Sequence, residues 1–443
     1  MLFKQLLDED LGCASYLVGD EEAGVAVVVD PPYAVEPVLA EAQRAGVRIE
    51  RAIETHTHAD HVSGHGRLAL EHGIPVSIHP AADVAYASDP LEDGERIEAG
   101  SVLLRCIHAP GHRPEHCCFA VGDGGGAPRL VLTGDSLFVG DAARPDLAVA
   151  AGEGARELFR SLRRLLELPD GVEVYPGHVA GSHCGRAPSS EPSSTIGDER
   201  RSNRALVDDL DAFVADSASI SVPRPPNMRR IVELNRGPFL GALPPAPELP
   251  LPPPDGQLLD VRPAPDYLAG HHRGARSVPV GGGSFATRAG FVLDAARPVT
   301  VVAATKAEAQ RAIRGLESVA CLDVEGYVLG GGGVRMVPVS MDELEGLLAS
   351  GAEVIDVREK DERDTGYIPG TRNIPFRLLT VCGADIPADR PVVTICESGA
   401  RAVVAASVLA ACGIDARPVA EGGVDAWRTG GRSVVEFRRC GSG

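Results

Sequence analysis

Short apolar runs separated by Gly and Pro turns fill residues 1 to about 180, and their spacing predicts strands with helices between them. Stretches 24–30, 76–79 and 129–135 read as buried strands, while 34–45 and 156–168 carry the helical period. Residues 194–214 read as one further helix, with Thr195 as its cap and Arg200, Arg201 and Arg204 on a polar side. Strands alternating with helices predict a layered α/β architecture. Residues 241–256 (G-A-L-P-P-A-P-E-L-P-L-P-P-P-D-G) are rich in Pro and predict an extended linker, the clearest boundary in the chain.

Beyond the linker one pattern occurs twice. Leu258-Leu259-Asp260-Val261-Arg262 is followed by Tyr267-Leu268-Ala269-Gly270-His271 and Arg276-Ser277-Val278-Pro279. Val354-Ile355-Asp356-Val357-Arg358 is followed by Gly366-Tyr367-Ile368-Pro369-Gly370 and Arg372-Asn373-Ile374-Pro375. Each copy continues to an apolar strand, 299–302 or 392–395, and ends near a Gly pair. Such a repeat predicts two small parallel-sheet domains. The expected division is 1–240, the linker 241–256, 257–337 and 338–443.

Composition narrows the function classes. A net charge of -19 argues against nucleic-acid and anionic-membrane partners. No apolar run is long enough to span a bilayer and no leader is evident at Met1, so a cytoplasmic protein is expected. Ten Cys without regular short spacing do not form a secreted disulfide framework. Aromatics are 4% of residues, so Ala, Val and Leu must build the cores.

The densest chemistry is T-H-T-H-A-D-H-V-S-G-H-G, residues 55–66, directly after the apolar 51–53. Imidazole and carboxylate at this density are poor core material and suit zinc or iron. Downstream lie Pro110-Gly111-His112, Thr133-Gly134-Asp135 and Pro176-Gly177-His178, each after an apolar run or turn. The ordered set of H-x-H-x-D-H, then His, then Asp, then His resembles the metallo-β-lactamase superfamily over about residues 1–240. That resemblance implies an αββα sandwich. Within the superfamily the motif looks more like the single-iron persulfide dioxygenases, which implies Fe(II) held by His56, His112 and Asp135. His58, Asp60, His61 and His178 then orient the ligands. In the two-metal zinc hydrolases, such as glyoxalase II, the same four residues bind metal directly. His183 and Cys184 follow His178 closely, and a thiol there is a candidate for the substrate pocket; Cys13 has a weaker version of that claim. His65, His79, His108 and His116 are read as surface or packing residues.

Cys396-Glu397-Ser398-Gly399-Ala400-Arg401 lies between the strand 392–395 and the helical run 402–411. A thiol there meets free backbone N–H groups and the positive end of the helix, which stabilise a thiolate or persulfide, and Arg401 adds charge for an anionic partner. With Asp356-Val357-Arg358 and Gly422-Gly423…Trp427, residues 340–437 resemble a rhodanese domain, a sulfurtransferase fold. In the first repeat Ala303 stands where the thiol should be, so that copy resembles a rhodanese without its nucleophile. The whole chain resembles fused persulfide dioxygenase–sulfurtransferases. That implies a small thiol persulfide, O2 and sulfite or thiosulfate as partners, and admits a dimer or tetramer. The rival readings are a dinuclear zinc thioester hydrolase fused to a sulfurtransferase, and a docking module with a structural metal.

Overall fold

Among the described residues of the first half of the chain, fourteen strands form two stacked six-stranded sheets and one short hairpin. The first sheet runs β1 (Leu2–Asp8), β2 (Cys13–Asp20), β3 (Val25–Val29), β4 (Arg48–Ile53), β5 (Val76–Ile78) and β6 (Asp89–Pro90) in spatial order. The second comprises β7 (Arg96–Ala99), β8 (Val102–His108), β9 (Cys117–Gly122), β10 (Leu130–Gly134), β13 (Glu173–Pro176) and β14 (Ser194–Thr195). Between them β11 (Leu137–Phe138) and β12 (Asp141–Ala142) form the hairpin. This is a computed structural model, and it describes residues 1–8, 10–123, 125–145, 148–179, 191–207, 209–218, 224–382, 385–387 and 390–436. Cys184 and His183 lie outside the described residues.

The period-2 alternation of the strands sorts side chains into layers. Tyr16, Val18, Val27, Val29 and Ile53 meet Leu104, Phe119, Val121 and Leu132 between the sheets. Leu17, Val28 and Ala52 point the other way, where Val38 and Ala42 of the helix Glu36–Arg44 cover them. On the far side Val131 and Val174 are covered by Leu158 and Leu162 of the helix Ala151–Leu165. The result is the four-layered αββα sandwich.

The single helix expected over 194–214 is instead two, Ile196–Ser202 and Leu210–Ala218. Asn203 ends the first because its side-chain amide donates to the carbonyls of Phe138 and Asp141, at 3.3 and 3.0 Å, and its backbone turns extended. Thr195 does cap that helix, accepting from Asp198 N–H at 3.1 Å.

The chain divides into two compact units, Met1–Pro244 with Glu317–Ala320, and Pro245–Leu316 with Cys321–Gly443. The Pro-rich stretch is extended, and part of it is sheet edge within the second unit: Leu249 N–H donates to Tyr327 O and Tyr327 N–H to Pro247 O. That unit holds two four-stranded parallel sheets of the same order. One is β16 (Arg276–Ser277), β15 (Gln257–Asp260), β17 (Val299–Ala303), β18 (Val324–Leu329). The other is β20 (Arg372–Asn373), β19 (Glu353–Asp356), β21 (Val392–Ile395), β22 (Ala416–Pro418). The repeat holds at atomic detail. Arg262 donates to both oxygens of Asp260 and to Gly270 O, and Arg358 to both oxygens of Asp356 and to Gly366 O. Among the described residues no helix is long and apolar enough to cross a membrane.

Candidate metal centre and thiol loop

Four turns of the first unit bring the metal-type residues together. The motif 55–66 leaves β4, His112 sits in the connection from β8 to β9, Asp135 follows β10, and His178 follows β13. Backbone hydrogen bonds tie these turns to one another: Cys117 N–H to Thr55 O and Gly177 N–H to Gly134 O, both at 2.8 Å. Gly134 has φ of 47°, and a Cβ there would lie 2.7 Å from His116 Nε2. Only glycine lets Asp135 turn inward so sharply.

His56, His112 and Asp135 are fully buried, and their free atoms face one point. His56 Nε2 is 3.9 Å and His112 Nε2 3.5 Å from Asp135 Oδ2. The hydrogen bonds behind the rings fix both tautomers. Thr55 N–H and Oγ1–H donate to Asp30 at 2.7 and 2.9 Å, so the hydroxyl can only accept from His56 Nδ1–H, at 2.9 Å. His112 Nδ1–H donates to the Arg144 carbonyl at 3.0 Å. Each Nε2 is therefore a bare lone pair aimed at the gap. Burial is the first cause of lowered pKa in both rings, with neighbouring imidazoles adding for His56, so both are neutral. His56 Nε2 and Asp135 Oδ2 have no hydrogen-bond partner. Buried atoms in that condition cost free energy unless something binds them. Two neutral imidazoles and one carboxylate are a donor set that fits a divalent transition metal.

Asp135 is held from behind. Burial opposes its ionisation, but His178, 2.6 Å from Oδ1, outweighs this and keeps the carboxyl well below the usual range. His116, read from sequence as packing, is buried beside His56, and its Nε2 accepts Asp135 N–H at 2.9 Å. Burial, reinforced by His112, lowers its pKa to about 3, so it remains an acceptor.

The other motif residues face elsewhere. His58 Nε2 lies 3.2 Å from Asp30 Oδ1 and from Glu54 Oε2. Burial and His61 oppose its protonation, yet the two carboxylates raise its pKa to about 10. Asp60, His61 and His178 cluster instead around Cys13, whose Sγ is 3.3 Å from Asp60 Oδ2, 3.5 Å from His61 Nδ1 and 3.2 Å from His178 Nε2. His178 Nε2 also meets Asp60 Oδ2 at 2.7 Å. Cys13, Asp60 and His61 form a second group of the kind that can hold a metal, as do Asp30, Glu54 and His58.

Asn235, on the helix Met228–Arg236, straps the motif. Its amide donates to His58 O at 3.0 Å and His61 O at 2.8 Å, and its Oδ1 accepts Ser63 N–H at 2.9 Å. Asn235→Ala is expected to destabilise the first unit by about 2–3 kcal/mol, because it leaves three buried backbone groups unpaired. Denaturant melts of the two proteins check this; an unchanged midpoint would show that the motif holds itself. Beside the centre a cleft of about 560 Å³ has Ala59, Arg113, Arg224, Arg229 and Arg236 in its wall with one carboxylate, Glu233.

In the second unit Cys396 follows β21 directly and is buried; Gly399 N–H donates to its sulfur at 3.1 Å as the helix Ala400–Ala411 begins. Gly399 has φ of 104°, and a Cβ there would strike Ala420 O. Arg401 is paired with both oxygens of Glu362 at 2.6 Å, and Arg358 with Asp356 and Glu397. By register Val302 pairs with Asp260 as Ile395 pairs with Asp356, which puts Ala303 at the thiol position and Glu308 at that of Arg401. Glu308 Oε2 accepts the N–H groups of Ala304 and Thr305, at 2.9 and 3.2 Å, so the first repeat fills its own loop with a carboxylate.

Comparison with known proteins follows the same division. The profile of the metallo-beta-lactamase superfamily matches residues 8–178, and that of the rhodanese-like domain residues 340–429. The mitochondrial persulfide dioxygenase ETHE1 of Homo sapiens is 30% identical over 239 residues, covering 53% of this chain and 87% of that protein. A probable metallo-hydrolase of Burkholderia pseudomallei is also 30% identical, over 45% of this chain and 80% of its own length. The crystal structure of a metallo-beta-lactamase from Staphylococcus aureus superposes with a TM-score of 0.69 at 27% identity, covering 74% of this chain and 99% of that one.

Proposed function

We propose, since the chain belongs to the metallo-β-lactamase superfamily and carries a rhodanese-like domain behind it, that it oxidises a small thiol persulfide to sulfite and then transfers sulfane sulfur to that sulfite. The observation that carries the first half is the buried trio His56, His112 and Asp135, with lone pairs aimed at one gap and protons held on the far side of each ring. His56, His112 and Asp135 would hold a ferrous ion, which would supply the redox chemistry that O2 requires. Thr55 and the Arg144 carbonyl keep each imidazole in the binding tautomer, His178 keeps Asp135 ionised, and His116 holds the Asp135 backbone in its inward turn. The arginine-lined cleft suits an anionic thiol carrier. The overall change is balanced: persulfide, O2 and water give thiol, sulfite and two protons, with the third oxygen of sulfite from water.

In the second half, Cys396 attacks the outer sulfur of a persulfide, a sulfur–sulfur bond forms to Cys396, and the thiol leaves with the electron pair. Sulfite then takes that sulfur and leaves as thiosulfate, returning the thiolate. Gly399 N–H and the first turn of the helix 400–411 hold the anionic sulfur. We read 257–337 as the copy without a nucleophile and 338–443 as the working transferase.

One observation favours the hydrolase as a second reading. Cys13, Asp60 and His61 lie within 4.8 Å of one another beside the first trio, as a two-metal centre would need. Metal content of the purified chain, measured with O2 consumption on a small-thiol persulfide, separates the two. About one iron per chain with persulfide-dependent uptake is the expected result. Two zinc per chain and no uptake would overturn the dioxygenase.

A further inference from the structure

We infer that Arg288, carried by the first repeat, completes the anion site of the Cys396 loop in the second, and that it selects sulfur oxyanions of the sulfite and thiosulfate class. The inference rests on the sulfurtransferase reading. Its basis is how the two repeats meet inside the second unit. The helix Phe285–Val292 of the first packs against the turn Phe376–Leu378 of the second, with the rings of Phe291 and Phe376 6.1 Å apart. Nearby, Ser277 N–H donates to Ser407 Oγ at 2.8 Å, and Ser407 lies on the helix that the Cys396 loop opens. This junction puts the half-buried Arg288 where the groups acting on it are Arg401 and Cys396.

Of the arginines near the loop, two are committed to carboxylates and Arg288 is not. Arg401 is paired with Glu362, and Arg358 with Asp356 and Glu397. Among the described residues the Arg288 guanidinium makes no hydrogen bond or ion pair with a carboxylate. Burial first, and then the charge of Arg401, disfavour its protonated form; Cys396 alone favours it. With its neighbouring arginines already committed to carboxylates, Arg288 is the guanidinium left to meet an incoming anion. A bound oxyanion sits with its sulfur toward Cys396 and its oxygens toward the guanidinium, where Arg geometry fits planar, forked contacts. The first repeat's own loop holds Glu308 at the corresponding place, so it offers its neighbour a cation while binding no anion itself.

The test compares Arg288→Gln and Arg288→Lys with the parent in the full chain. Thiosulfate gives its outer sulfur to Cys396, sulfite leaves with the bonding pair, and cyanide removes the sulfur as thiocyanate. For Arg288→Gln the KM for thiosulfate is expected to rise about tenfold with a smaller change in kcat, the factor one charge-assisted contact is worth. Arg288→Lys should recover part of it. Alkylation of Cys396, read by peptide mass spectrometry, gives a measure independent of turnover: the iodoacetate-to-iodoacetamide rate ratio should fall several-fold in Arg288→Gln, since only iodoacetate is charged. An unchanged ratio and unchanged KM overturn the inference. A parent protein that takes no sulfur from thiosulfate overturns the transferase reading instead, and the alkylation ratio still decides whether Arg288 supplies charge to the loop.

Discussion

Replacing Asp135 with Asn should abolish persulfide-dependent O2 uptake and iron retention while leaving the fold intact. The substitution is nearly isosteric, and the amide oxygen can still accept from His178 where Oδ1 accepts now, at 2.6 Å. What changes is the atom at Oδ2. There an NH2 donor replaces an anionic oxygen and faces the lone pairs of His112 Nε2, 3.5 Å away, and His56 Nε2, 3.9 Å away. The site then loses its one negative ligand and satisfies its own orphaned acceptors from within. Removing even an outer partner of a metal ligand costs about 10–100-fold, so removing the charged ligand should lower activity by more than about 100-fold. Metal analysis, O2 electrode traces and a thermal melt of the metal-free proteins check the three parts. Retained O2 uptake would sink the trio as the metal centre.

Cys396→Ser should give the complementary phenotype. Thiosulfate formation from persulfide and sulfite should fall by at least about 10³-fold, because a hydroxyl cannot carry sulfane sulfur. O2 uptake should be unaffected, since the metal-type residues all lie in the first unit. The variant should separate the two proposed chemistries in one polypeptide, with sulfite accumulating to a higher level than in the parent protein. A Cys396→Ser protein that still made thiosulfate enzymatically would remove Cys396 from the mechanism.

The sequence carried much of this because the informative features are local. Short continuous apolar runs made β3 and β10, buried on both faces, legible as strands, and a turn loaded with His and Asp at the end of an apolar run has few structural uses. The twin Asp-Val-Arg runs were legible as a repeat because each Arg reaches back only two residues to its Asp. What stayed hidden depends on distance along the chain and on ring orientation. Asn235 straps the motif from 177 residues away, and nothing in its surroundings marks it. His116 looks like any core histidine until its Nε2 is seen to accept Asp135 N–H. His58 shares a motif with His56, yet two carboxylates supplied by Asp30 and Glu54 turn it away from the trio. The break at Asn203 was hidden for the same reason, since the carbonyls that hold its side chain belong to the hairpin of β11 and β12.

The carboxylate inside the loop of the first repeat limits what a single substitution there can do. That loop differs from its counterpart at two places: Ala303 puts a methyl group where the other repeat has Cys396, and Glu308 a carboxylate where the other has Arg401. A single reversion at Ala303 would place a thiol beside a resident anion, where a thiolate is repelled rather than stabilised. A persulfide-carrying loop in this repeat therefore takes at least two substitutions, at Ala303 and at Glu308. The strand order and the paired Asp and Arg of each sheet are the same in both repeats, so this difference between them is confined to the loop.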